Sequence, residues 1–218
     1  GGNYNTVVGD EAGTAITTGD NNVAIGYGAG DALTTGGQNI AIGYLALSTE
    51  DEHGSNVAIG RQALENQNAG AEAYNVAIGS LAGNDITTGT KNTFVGGLSG
   101  DANTTAPNNT AVGYSSLGAN TTGIENVAVG SESAESVTTG NYNVAVGFRS
   151  LESTTTGSSN TAIGRSALES NTTASNNVAV GFAALDVNTT GANNTAIGAA
   201  CLDANTTGSE NVAVGYAA

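Results

Sequence analysis

A chain of 218 residues with a formal net charge of −15 and only four basic side chains, Arg61, Lys91, Arg149 and Arg165, cannot neutralise a row of phosphates. Nucleic acid and anionic membrane surfaces are therefore poor partners, and the acidic surface suits a solvated setting outside the cell, on a cell surface or on a virion. Thirty-three glycines against one proline exclude a collagen-like chain, one cysteine excludes an intrachain disulfide, and no apolar run approaches the ~18 residues of a membrane span.

Followed from its first residue, the chain repeats one β-motif with a 17-residue period. The glycine that closes each Val-Ala-Ile-Gly-like tetrapeptide, the coil glycine, is Gly9, Gly26, Gly43, Gly60, Gly79, Gly96, Gly113, Gly130, Gly147, Gly164, Gly181, Gly198 and Gly215. Only the interval from Gly60 to Gly79 departs from 17, at 19 residues, and the two extra residues are placed within 71–74. Residues 1–218 read as a single repeat domain that starts and stops inside a repeat, without capping units. The expectation is a segment of a longer chain or one unit of a continuing stack.

Each motif opens with an asparagine four residues before the coil glycine: Asn5, Asn22, Asn39, Asn56, Asn75, Asn92, Asn109, Asn126, Asn143, Asn160, Asn177, Asn194 and Asn211. An amide both donates and accepts, so the column predicts an internal ladder that fixes register. The next three residues are Val, Ile or Thr, then Ala (replaced by Val7 and Phe94), then Val or Ile. They predict a short strand with branched residues on one face and small ones on the other. Stacked Val and Ile are expected to make the continuous core, each burial being worth about 1.5–3 kcal/mol gross.

Three residues after the coil glycine the slot is small, and Cys201 fills it as a packing residue, not a nucleophile. The following slot is Leu in seven copies, which predicts a second short strand with its own apolar row. A Thr-Thr pair then marks the turn, usually followed by a glycine expected at positive φ. One copy carries Glu50-Asp51-Glu52-His53 instead, and its lone histidine reads as solvated. Aromatics one residue after the coil glycine (Tyr27, Tyr44, Tyr114, Phe148, Phe182) read first as packing between chains, with ligand contact points as the alternative.

Two or three strands of four or five residues fit such a coil. The predicted fold is all-β, a parallel β-solenoid or β-roll of about 13 coils spaced ~4.8 Å apart, roughly 60 Å in total. Helical repeats and propeller blades need longer periods. Both faces of the strand are apolar, so the face turned away from the coil interior needs a cover, and another copy of the chain is the simplest one.

The phrase Asn-Val-Ala-Ile-Gly, at Asn22–Gly26, Asn56–Gly60 and Asn75–Gly79, resembles the head repeats of trimeric autotransporter adhesins. Asn188–Gly198 is similar to stretches of phage tail-fibre proteins. The resemblance implies a left-handed roll, a homotrimer, and a role as an adhesive or structural fibre that meets a host-surface or matrix ligand. The period here is longer than that of the adhesin heads.

No catalytic set is built from one His and one Cys in structural slots, and no dinucleotide, phosphate-loop or zinc-protease motif occurs, so no enzyme activity and no cofactor are expected. Five consecutive coils place an acid five residues after the coil glycine: Glu135, Glu152, Glu169, Asp186 and Asp203. This column reads first as a hydrated ridge, with Ca2+ binding as the sharper alternative and no metal site committed. The function expected is a non-enzymatic fibre segment; the alternatives are a self-assembling filament subunit and, on the Thr-Thr column, an ice-binding solenoid.

Overall fold

A computed structural model describes residues 2–218, with Gly1 outside the described residues, and divides the chain into two compact units, Gly1–Asn109 and Thr110–Ala218. Six strands, from β1 (Thr6–Val8) to β6 (Thr93–Val95), belong to the first unit; seven, from β7 (Thr110–Val112) to β13 (Val212–Val214), belong to the second. Within each unit successive strands pair in parallel and in the repeat register, Ala24 opposite Ala41 and Ala128 opposite Ala145. Each unit is therefore a parallel β-solenoid with a coil of about 17 residues, as the period predicts. Among the described residues there is no helix, and so none long and apolar enough to cross a membrane.

The coil is simpler than expected in one respect: it contains one strand of three residues, not two or three of four or five. The reason lies in the backbone after the coil glycine. The residues two and four positions later adopt left-handed φ in coil after coil, as in Leu45 (51°), Leu47 (50°), Ser166 (57°) and Leu168 (54°), which no strand tolerates. The segment nonetheless bonds from coil to coil, with the Leu47 N–H donating to Ala63 O (3.0 Å) and the Leu45 N–H to Tyr27 O (2.9 Å). Alternating left-handed residues aim successive amides at opposite neighbours, which satisfies the backbone without a second strand.

The core also differs from expectation. The strand alanines from Ala24 to Ala196 are wholly buried, whereas the Val, Ile and Thr on either side face outward and are half-buried or exposed. Small side chains must point inward because each coil encloses little space, and the inward row already faces large ones. Those come from the leucine row (Leu47, Leu64, Leu117, Leu151, Leu168, Leu185), fully buried although it lies in no strand. Left-handed backbone costs a non-glycine residue about 1–2 kcal/mol, which burial of a leucine offsets.

The core slot, four residues after the coil glycine, is coupled to the corner slot three residues further on. Where the first is Leu, the second is polar, as in Leu168/Asn171 and Leu185/Asn188. Where the first is Gly or Ala, the second is a large aliphatic: Gly13/Ile16, Gly30/Leu33, Gly83/Ile86 and Ala134/Val137. A Cβ on Gly30 would lie 2.8 Å from Leu33 Cδ1, so only one of the two slots carries a large apolar side chain, although Glu50 and Gln67 are buried beside Leu47 and Leu64. The exception confirms the volume rule: Gly100 stands with Asn103 because Phe94, buried in the alanine row, fills that layer, and a Cβ on Gly100 would lie 2.5 Å from its ring.

Two kinds of glycine are needed for two reasons. Coil glycines have φ between 128° and 142°, and a Cβ on Gly26 would lie 2.6 Å from Gly43 O in the next coil. Turn glycines such as Gly19 and Gly140, expected at positive φ, do not have it; a side chain there would collide with the carbonyl stacked next to it, Gly36 or Gly157. The 19-residue coil keeps register, Val57 opposite Val76, by bulging. Asn68 still bonds Thr87 O and Ala73 O already accepts from Lys91 N–H, so the surplus is taken up at 69–72, around the exposed Gly70.

Candidate functional site

The outward strand face is the first candidate. Its two columns hold only Val, Ile and Thr, with no charged residue in either unit. Ile78 in the first unit is 39% exposed, and Ile163 and Ile197 in the second are 40% and 43% exposed. Beside it runs the column that follows the coil glycines. Tyr27 and Tyr44 stack there with ring centroids 5.5 Å apart, and Arg165 lies over both Phe148 (6.0 Å) and Phe182 (5.7 Å). These rings are exposed and border the apolar face, in a column that they share with Asp10, Arg61 and Arg165.

The asparagine column sits behind that face and is buried from Asn22 to Asn194. Its bonds run mainly through the backbone. Asn22 Oδ1 accepts from Asn39 N–H (2.9 Å) while Asn22 Nδ2 donates to Gly36 O (2.9 Å), and Asn143, Asn160 and Asn177 repeat the scheme. Side-chain amides also meet directly in places, as from Asn160 to Asn143 (3.2 Å). Aspartate lacks the donor and glycine lacks both groups, which accounts for the invariance of the slot along the chain. The sequence reading missed a second polar ladder, at the corner slot of the second unit. There Asn188 Nδ2 donates to Gly191 O (2.9 Å) and Asn205 Nδ2 to both Asn188 Oδ1 (3.0 Å) and Gly208 O (3.0 Å). The signal was present as an asparagine seven residues after several coil glycines.

The acidic column is in register: Ser136, Ser153 and Ser170 N–H bond the carbonyls of Glu152, Glu169 and Asp186 in the following coil. Glu135, Glu152, Glu169 and Asp186 are half-buried and Asp203 is exposed. Burial, with Glu169 and Glu135 adding repulsion against the lowering pull of Arg149, holds the Glu152 carboxyl above the usual range; burial and then Glu169 and Asp203 do the same for Asp186. At one end Glu132, Glu135 and Glu152 offer oxygens within 4.8 Å of one another, but Arg149 already lies there, 2.6 Å from Glu132 and 3.7 Å from Glu152. A cation has to compete with that guanidinium.

In the Thr-Thr pair the first hydroxyl is committed, Thr17 Oγ1 donating to Thr34 O (3.0 Å) and Thr172 Oγ1 to Thr189 O (3.1 Å). The second threonine, as at Thr18, Thr139 and Thr190, is exposed, and in the first unit so are Thr17 and Thr87, while Thr35 Oγ1 donates to Glu52 O (3.4 Å). Cys201 is fully buried in the small slot. His53, read as solvated, is only part exposed, its Nδ1 buried beside the wholly buried Glu50. The turn folds back on itself because Glu50 Oε1 accepts the His53 N–H (3.2 Å).

No protein-family model matches the chain, and no curated protein or solved structure is significantly similar to it.

Proposed function

We propose that this chain is a non-enzymatic structural and adhesive segment of a fibre displayed outside the cell, on a cell surface or on a virion, and that it acts as an assembly of identical copies. The outward Val/Ile/Thr face carries the reading. Extended apolar surface on an otherwise polar protein marks a site of association, at about 25 cal/mol for each Å² removed from water. The chain bears a net charge of −15, so two copies repel wherever acidic surfaces meet; the uncharged strand face is the surface on which like-charged copies can approach. A trimer of left-handed rolls is the arrangement that the adhesin-like motifs favour. In that arrangement the ladders behind the face keep it regular, and the coils space or display a ligand-binding surface elsewhere on the fibre.

Electron microscopy of the purified chain tests this. Discrete particles containing several copies are expected. Fibres of indefinite length would replace the reading with a self-assembling filament, and particles of single chains would contradict both.

A further inference from the structure

We propose that Glu50, Asp51 and His53 form a binding site for one divalent transition-metal ion of the Zn2+ type. This turn is the place in the first unit where two departures from the repeat coincide. A carboxylate occupies the corner slot, which elsewhere holds an aliphatic, Asn, Thr or Gln, and an imidazole occupies the turn slot, which elsewhere holds Gly or Ala. The following coil also departs from the repeat at the same corner, with the bulge at 69–72, whose Ala69 backbone N–H approaches the Glu50 carboxylate.

One ligand atom from each of the three residues lies within 4.8 Å of the others. His53 Nδ1 and Glu50 Oε1 are 3.7 Å apart, too far for a hydrogen bond but close to the roughly 3.5 Å between two ligands on an ion with bonds of about 2.1 Å. Glu50 is fully buried, and both its Oε2 and the buried His53 Nδ1 make no hydrogen bond. Two buried lone-pair donors left unpaired within one turn are costly in a protein interior and are what a metal ion satisfies.

The scaffold is rigid where it needs to be. Asp51 O accepts from Thr34 N–H (2.7 Å) and Thr34 Oγ1 (2.9 Å), and His53 O accepts from Asn39 Nδ2 (3.1 Å), so the backbone is pinned on both sides of the triad. The His53 N–H bond orients the Glu50 carboxylate from the rear. Three ligands from four consecutive residues add little chain entropy on binding. An imidazole with two carboxylates suits Zn2+, whereas Ca2+ takes six to eight oxygens. The competing role for Glu50 is purely structural: a hydrogen bond to Gln67, which holds the same slot in the next coil and whose Nε2 is also unpaired.

Calorimetric titration of the untagged full chain with ZnCl2, and with CaCl2 in parallel, tests the site. Glu50→Asn and His53→Gly serve as variants because each restores a residue that other coils carry at that position, so both fold. One Zn2+ per chain is expected, weakened at least about tenfold by each variant, with no matching response to Ca2+. Absence of Zn2+ binding, binding unchanged in His53→Gly, or equal binding of Ca2+ would each overturn the assignment.

Discussion

The two units solve one packing problem in different ways. The second does so almost uniformly: Leu117, Leu151, Leu168, Leu185 and Leu202 fill the core slot, and polar residues, mostly asparagine, stack at the corner. The first mixes three solutions, with glycine beside Ile16, Leu33 or Ile86, leucine beside Glu50 or Gln67, and Phe94 crossing from the alanine row. In most coils of either unit these slots supply one large apolar side chain to the core. A solenoid therefore conserves volume per layer and backbone bonding between layers, while the residue that supplies the volume is free to move around the coil. The uniform unit gains a second amide ladder; the mixed one gains a turn at which chemistry can be placed.

The sharpest way to break this comparison is to impose the second unit's solution on the first. Gly100→Leu puts side-chain atoms into the Phe94 ring and is expected to cost more than about 4 kcal/mol, measured by hydrogen exchange, which reports each unit separately. Phe94→Ala with Gly100→Leu restores the common pattern and should recover most of that loss; a double mutant as unstable as the single one would refute volume exchange. In the second unit, Leu168→Ala is expected to cost about 3 kcal/mol, since Asn171 cannot fill the space. Asn160→Ala removes the acceptor of the Asn177 N–H and one of two side-chain donors to Ala174 O, the other being Asn171 Nδ2, and should cost about 2 kcal/mol by the same measurement.

The smallest expected effect lies on the acidic ridge of the second unit. Raised folded-state pKa values on Glu152 and Asp186 mean that the folded form binds protons more tightly than the unfolded one. Stability contributed by these groups is thus gained as pH falls from about 7 towards about 5 and lost as pH rises again. Thermal melts should show Tm rising over that fall. Glu152→Gln with Asp186→Asn should raise Tm at neutral pH and flatten the dependence; a Tm that drops steadily on mild acidification would contradict the sign.

Much of this was legible in the sequence. The period, the coil glycines, the Asn column and the parallel stacking all follow from spacing, because a stacked coil forces identical residues into identical surroundings. The inward face of the strand was not legible: Ala and Val/Ile are both apolar, and which side is inside depends on how little room the coil encloses. The leucine row looked like a strand because leucine rarely accepts left-handed φ, and only the packed structure shows burial overriding that preference at Leu168 and its equivalents. The turn at Glu50–His53 was visible as an irregularity, yet its meaning depended on the burial of Glu50, which composition suggested for no carboxylate.

The central claim is that the outward strand face joins copies of the chain. Sedimentation velocity of the wild type beside Val129→Asp with Ile163→Asp tests it most directly, since both side chains point away from the core and their replacement leaves the coil intact. The expected result is an oligomer for the wild type and a folded monomer for the variant. A wild type that sediments as a monomer at all concentrations, or a variant that remains oligomeric, would contradict it.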